Sequence, residues 1–228
     1  MKLVAVTTSA DRAEAASIPF TFMGLRPVVL PCIEVDPADE QTLDATRKAS
    51  REAHLLVVSS RRTIDVLWPD GPLPDVEFAV VGAASARAVI ERGGRVAVTG
   101  SGGSAQLAEN LAPHAAGKHL VWPHASGADP APLQMLATRA ARFTAPAIYS
   151  SRPIAPPLDR VDAVTFASPS AVAGWQLSRS LDGAQIGVIG ETTLRAVENN
   201  GGAAAVVAPL PTFQSLAQAV AEHLGVAV

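Results

Sequence analysis

Apolar and polar positions along this chain keep two rhythms. Short runs of aliphatic and β-branched residues alternate with stretches in which Ala and Leu return every three or four positions. The short runs predict strands over residues 3–6, 28–35, 55–58, 79–81 and 95–98, then over 119–121, 145–149, 163–166, 186–189 and 204–207. The helical spacing predicts helices over 61–68, 85–92, 104–111, 133–142, 170–181, 192–200 and 212–223. Several of these have Ser or Thr where an N-cap sits. A further helix over 11–24 is expected to bend or end at Pro19, which has no N–H to donate and crowds the preceding turn. Strands alternating with helices form parallel sheets wrapped by helices.

The pattern is then said twice. Phe78-Ala-Val-Val-Gly82-Ala-Ala-Ser85-Ala-Arg-Ala-Val89 returns as Ile186-Gly-Val-Ile-Gly190-Glu-Thr-Thr193-Leu-Arg-Ala-Val197, 108 residues later. An apolar run ending in serine precedes each copy, Leu55-Leu-Val-Val-Ser59-Ser60-Arg61 and Val164-Thr-Phe-Ala-Ser168-Pro169-Ser170. Gly93-Gly94 and Gly201-Gly202 follow them, and the start Val4-Ala-Val-Thr7-Thr8 is echoed by Leu120-Val-Trp-Pro123-His124. A period this long is not a solenoid unit, since those run to roughly 20–50 residues. It indicates two homologous halves, and with them a cleft between two similar domains. Two extended, proline-flanked segments, 31–37 and 150–157, lie at the same point of each half. Two such crossings suggest that one domain is inserted into the other. Two surface loops on one continuous sheet would look the same at this level.

Composition narrows the class. At 228 residues, 48% apolar and 17% charged, the chain can bury a core in one large or two small domains. A formal charge of −3 without a basic stripe carries no nucleic-acid footprint. The single Cys32 excludes an internal disulfide framework and fits a reducing compartment. Lys2 is followed by an apolar run too short for the core of a secretory signal, and no run approaches a bilayer span. The expectation is a soluble, cytoplasmic protein.

Ligands of open parallel sheets bind beyond the carboxyl ends of the strands, where loops lead into helix N-termini. Here those loops are Thr7-Thr8-Ser9, Ser59-Ser60-Arg61, Gly82-Ala-Ala-Ser85, Ser168-Pro-Ser170 and Gly190-Glu-Thr-Thr193. They are short and hydroxyl-bearing, and their free N–H groups suit anionic ligands. For any one loop, a capping hydroxyl and a turn glycine would be sufficient reason. Five loops in matching pairs favour a shared binding surface. No Walker lysine loop or complete Gly-x-Gly-x-x-Gly fingerprint is present, so a nucleotide cofactor is not supported. The five His residues lack metal spacing, Ser59 and Ser168 lack a nucleophile context, and Cys32 in its apolar run suits packing. Tyr149, the only tyrosine, ends a strand just before the second crossing. There it suits a satisfied core hydroxyl or a phenol that donates a proton to a leaving group.

These elements together resemble the uroporphyrinogen-III synthase family. The resemblance is carried by the Ser59–Arg61 loop, the Gly-x-x-Ser-Ala loop at 82–86 and the strand ending in Tyr149. It continues through Phe166–Ser170, the Gly-x-Thr-Thr run at 190–193 and Pro211-Thr212 with Leu216. The resemblance implies an α/β fold of two flavodoxin-like parallel-sheet domains joined by a two-stranded linker, one inserted into the other. Residues 1–35 with 152–228 would form one domain and residues 38–148 the other. It implies closure of hydroxymethylbilane to uroporphyrinogen III, with loss of water and inversion of ring D, in the interdomain cleft and without cofactor or metal. Tyr149 matches the tyrosine proposed to assist departure of the hydroxyl, and Thr193, beside Thr192, the threonine near the substrate. Ser59, Ser60, Arg61, Ser85, Ser168, Ser170 and Thr192 fall at substrate-binding positions. A monomer is expected, with a tetrapyrrole substrate, no nucleic-acid or membrane partner, and room for transient contact with hydroxymethylbilane synthase. The chain departs from the family at Thr8 and His124, where Arg is common, and at Ser60, taken as the place of a usual Pro. A different class, a non-enzymatic two-domain binder of a small anion, is the alternative.

Overall fold

The computed structural model describes residues 1–226. In chain order the first half runs β1 (Leu3–Val6), α1 (Ala10–Phe22), β2 (Arg26–Val29), β3 (Ile33–Pro37), α2 (Glu40–Arg51) and β4 (Leu55–Val58). It continues with α3 (Arg61–Leu67), β5 (Glu77–Val81), α4 (Gly82–Glu91), β6 (Arg95–Gly100) and α5 (Gly103–Leu111). The second half has β7 (His119–Val121), β8 (His124–Ala125), α6 (Pro130–Ala137), β9 (Arg142–Thr144) and β10 (Ala147–Pro153). It closes with β11 (Ala163–Phe166), α7 (Pro169–Gln176), β12 (Ile186–Val188), α8 (Glu191–Asn199), β13 (Val206–Val207) and α9 (Phe213–His223).

The chain separates into two compact units, Met1–Val35 with Ser151–Val228, and Asp36–Ser150. The first holds a sheet in the order β13-β12-β11-β1-β2, and the second a sheet in the order β6-β5-β4-β7-β9. All pairings in both are parallel. Each half therefore gives its first two of these strands to one unit and its last three to the other. The register is kept through the duplication: Val4 lies opposite Ala163 and Pro27, as Leu120 lies opposite Leu55 and Phe143. Likewise Val164 faces Ile186 as Leu56 faces Phe78. The strands that cross between units, β3 and β10, are neighbours in a separate three-stranded sheet with β8. Ile154 N–H donates to Cys32 O and Ala38 N–H to Ile148 O, so the two strands run in opposite directions.

Each unit buries aliphatic strands under Ala- and Leu-rich helix faces. In the second unit Leu55, Val57, Ala79 and Leu120 pack against Leu107, Leu111 and Leu136. In the first, both faces of the sheet are covered, one around Phe166 and Trp175 and the other around Phe20 and Leu216. The repeated glycine pairs have one local cause. Gly93 and Gly201, both at φ 78°, end α4 and α8, and the next glycines return N–H bonds to Val89 O and Val197 O. Each is a Schellman cap, in which only glycine takes the left-handed position without cost.

The structure departs from the sequence-based expectation in several places, among them the helix over 170–181, which ends at Gln176, the strand over 145–149, which runs to Pro153, and the unexpected β8. The strand expected over 28–35 is two strands, broken at Pro31, because Leu30 and Cys32 still bond back to Val6 and Thr7 beside β1. Helix α1 runs through Pro19, its face of Ala13, Ala16 and Phe20 anchored in the core. The helix expected over 133–142 stops at Ala137, and Arg142–Thr144 is instead an edge strand. Helix α2 had no apolar period to reveal it, since its buried face is Leu43, Thr46 and Ser50. Its signal was polar: Asp39 caps it by accepting from Thr42 N–H at 2.8 Å, with Glu40 first and Lys48 and Arg51 last. That bond holds the Asp39 carboxyl below its ordinary range. Cys32 is fully buried, and burial pushes its thiol up to about 12, so it packs rather than reacts.

Candidate functional site

Strand order reverses at one point in each sheet, between β4 and β7 in one unit and between β11 and β1 in the other. Loops leaving the carboxyl ends of such a strand pair diverge and leave the crevice in which doubly wound sheets bind ligands.

In the Asp36–Ser150 unit the crevice begins at Ser59 and Ser60, just after β4. Ser60 is the N-cap of α3, its Oγ accepting from Arg62 N–H at 3.2 Å. Ser59 Oγ faces the indole of buried Trp122, with Nε1 at a long 3.5 Å. After β7 the chain turns into β8, where Ala125 lies opposite Tyr149 and Ser126 N–H donates to Tyr149 O at 2.7 Å. Tyr149 is 9% exposed, and the guanidinium of Arg62 lies over its ring, 6.0 Å from the centroid. This is cation–π range. Arg61 turns elsewhere. Its Nε is 3.6 Å from Asp65 Oδ2, and it lines a side cavity of about 500 Å³ with Asp65, Asp70, Glu91 and Arg92. His124 is bound to the backbone, with Nδ1 2.8 Å from Ala125 O and Nε2 3.0 Å from Ala145 O. Ser85 lies in the first turn of α4, beyond β5, and is buried.

In the other unit the same crevice is built from hydroxyls that serve the sheet. Thr7 Oγ1 donates to Thr165 O and Thr165 Oγ1 to Ala5 O, each at 2.7 Å, joining the two central strands. Ser168 caps α7 by accepting from Ala171 N–H at 3.3 Å, and Ser170 is half-buried in the first turn. Thr193 is buried in the first turn of α8 with its N–H bonded to Gly190 O, whereas Thr192 beside it is exposed. The structure thus gathers Ser59, Ser60 and Tyr149 at one crevice of one unit. It sets Ser168 and Ser170 at the matching crevice of the other, with Thr192 and Thr193 one strand further along.

Sequence reasoning missed Arg62. The spacing of 108 residues would have found it, because it pairs Ser60, not Ser59, with the cap Ser168, Arg61 with Pro169, and Arg62 with Ser170. The proline position of the second copy is therefore held by Arg61 in the first. Among the described residues no cluster of three or more His, Cys, Asp or Glu side chains could hold a metal ion. No helix among them is long and apolar enough to cross a membrane.

The family model described as uroporphyrinogen-III synthase HemD matches residues 19–218. The chain belongs to the uroporphyrinogen-III synthase family. Solved structures agree on the fold. Uroporphyrinogen-III synthetase from Helicobacter pylori 26695 is 14% identical with a TM-score of 0.65, covering 98% of this chain and 99% of that one. A methionine-substituted mutant of uroporphyrinogen III synthase from the extremely thermophilic bacterium Thermus thermophilus is 19% identical with a TM-score of 0.61, covering 99% of both. Comparison with curated proteins finds no match. In uroporphyrinogen-III synthase terms, the fold is the expected one of two parallel-sheet α/β domains, and the loops described above are the ends of its strands.

Proposed function

We propose that this chain closes hydroxymethylbilane to uroporphyrinogen III, and that Tyr149 assists departure of the terminal hydroxyl. The observation that carries the activity is the family match over residues 19–218. The nearly buried Tyr149, with a cation over its ring and Ser59 and Ser60 at the same crevice, supports its role. Proton transfer from the phenol to the leaving hydroxyl would let the C–O bond break and water depart, leaving an azafulvene cation. Attack by the substituted carbon of ring D gives a spiro intermediate, and fragmentation with reclosure inverts that ring. The proton lost when the last carbon–carbon bond forms restores the phenol.

The substrate carries eight carboxylates, and the chain is itself net acidic at −3. Bulk repulsion therefore opposes binding, and recognition rests on local donors. The starts of α3, α4, α7 and α8 present backbone N–H groups and the positive ends of helix dipoles. Ser59, Ser60, Arg61, Ser85, Ser168, Ser170, Thr192 and Thr193 flank those starts and are proposed as the binding set, with Thr193 nearest the chemistry. Most of the rate demand is conformational, since the bilane closes unaided to the wrong isomer. Holding it in the reacting shape is the work of oriented contacts. In this reading residues 1–35 with 152–228 and residues 38–148 are the two working domains. The protein acts as a cytoplasmic monomer, without a cofactor, with room for transient contact with hydroxymethylbilane synthase.

The test is direct. Supplied with hydroxymethylbilane, the protein should yield type III uroporphyrin after oxidation and chromatography, faster than spontaneous closure. Type I alone, at the spontaneous rate, would leave only ligand binding.

A further inference from the structure

Arg62 is the second residue of α3, and its backbone is fixed by the Ser60 cap, so the start of its side chain has a set direction. That direction carries the guanidinium over the face of Tyr149, 6.0 Å from the ring centroid. Arg62 is half-buried and Tyr149 nearly buried, so water screens this pair less than it would at the surface. A fixed positive charge beside a phenol favours its ionised form, and thereby makes the neutral hydroxyl a readier proton donor. The second copy has Ser170 at this place, so the device exists in one unit only.

We propose that Arg62 is a positioning residue, which lies over the Tyr149 ring and biases its hydroxyl toward proton release. Its catalytic consequence rests on Tyr149 acting as proton donor, whereas the electrostatic coupling does not. Other ionisable side chains on these strands are His124 on β8, tied to backbone carbonyls, Asp36 and Glu34 on β3, and Arg152 on β10, which pairs with Glu34. Substituting Arg62 leaves all of them in place.

Tyr149 is the only tyrosine in the chain, so tyrosinate absorbance reports a single group. Arg62→Met should raise the midpoint of that titration by roughly one pH unit, and Arg62→Lys by less, because a charge is retained. Turnover should fall about tenfold in Arg62→Met with KM within about twofold, and less in Arg62→Lys. In a Tyr149→Phe background, Arg62→Met should cost nothing further, as expected of residues acting as one unit. An unchanged tyrosinate midpoint overturns the proposal whatever happens to activity. So does a rise in KM at constant kcat, which would make Arg62 a substrate contact instead. A shifted midpoint with full activity in Tyr149→Phe supports the coupling while removing Tyr149 from the chemistry. Circular dichroism checks folding, and if Arg62→Met does not fold, Arg62→Lys carries the same comparison.

Discussion

Two helix starts, Ser60-Arg61-Arg62 on α3 and Ser168-Pro169-Ser170 on α7, stand at the same place on the same kind of five-stranded sheet and carry different side chains. Their caps match: both serines are extended, at φ −150° and −163°, and both accept an N–H from the first turn. Beyond the cap the copies part. α3 sends a guanidinium over Tyr149, whereas α7 presents a small hydroxyl and presses Gly174 against the backbone of the crossing segments. A Cβ at Gly174 would lie 2.0 Å from Cys32 O, while the matching residue of α3 is Val66. The duplication has kept what local folding needs, a cap and a register, and has let the remaining side chains specialise.

The sharpest test of that division is Tyr149→Phe, which keeps the ring and removes only the hydroxyl. Steady-state assay should show turnover falling by about 10²-fold, the low end for loss of a general acid, with an unchanged melting curve. Normal turnover would reduce Tyr149 to a core residue and make the two crevices chemically alike. Next in size is Gly174→Ala. It should destabilise by about 3 kcal/mol in denaturant unfolding, because the atoms met by the new methyl are backbone and cannot rotate away. Val66→Ala on α3, at a half-buried position, should cost about 1 kcal/mol or less. Equal losses would mean that the crossing backbone does not press on α7 in solution.

The caps should behave as twins. Ser60→Ala and Ser168→Ala should each cost about 1 kcal/mol of stability, and a clear inequality would show that the copies differ even in their first turn. Smallest is Thr63→Val, which replaces only the hydroxyl by a methyl of similar shape. Thr63 Oγ1 is buried without a hydrogen-bond partner, and the second copy has Ala171 at that position. Removing the hydroxyl should stabilise by about 0.5–1 kcal/mol. A loss of that size in chemical denaturation would mean the hydroxyl has a partner in solution.

Much of the fold could be argued from sequence, and the failures are informative. Aliphatic strands such as Leu55–Val58 and Ala163–Phe166 announce themselves because both faces are buried. β9 did not, because it is a three-residue edge strand whose Arg142 faces water. α2 stayed hidden because Thr46 and Ser50 line its buried face and return their hydroxyls to the helix, to Thr42 O and Thr46 O. At the site, Tyr149 stood out as the only tyrosine, but Arg62 lay beside an arginine with an equal claim.

By itself the sequence determined the duplication, the alternation of strands and helices outside α2, β8 and β9, and most of the caps and glycine turns that end them. These depend on periodicity and on hydrogen bonds closed within a few residues. Only the tertiary structure decided which strands lie side by side, so that each half builds part of both units. Only it decided that Arg62, and not Arg61, reaches Tyr149. Consecutive residues on a helix point about 100° apart. One step along α3 therefore separates a cation above the phenol from one paired with Asp65.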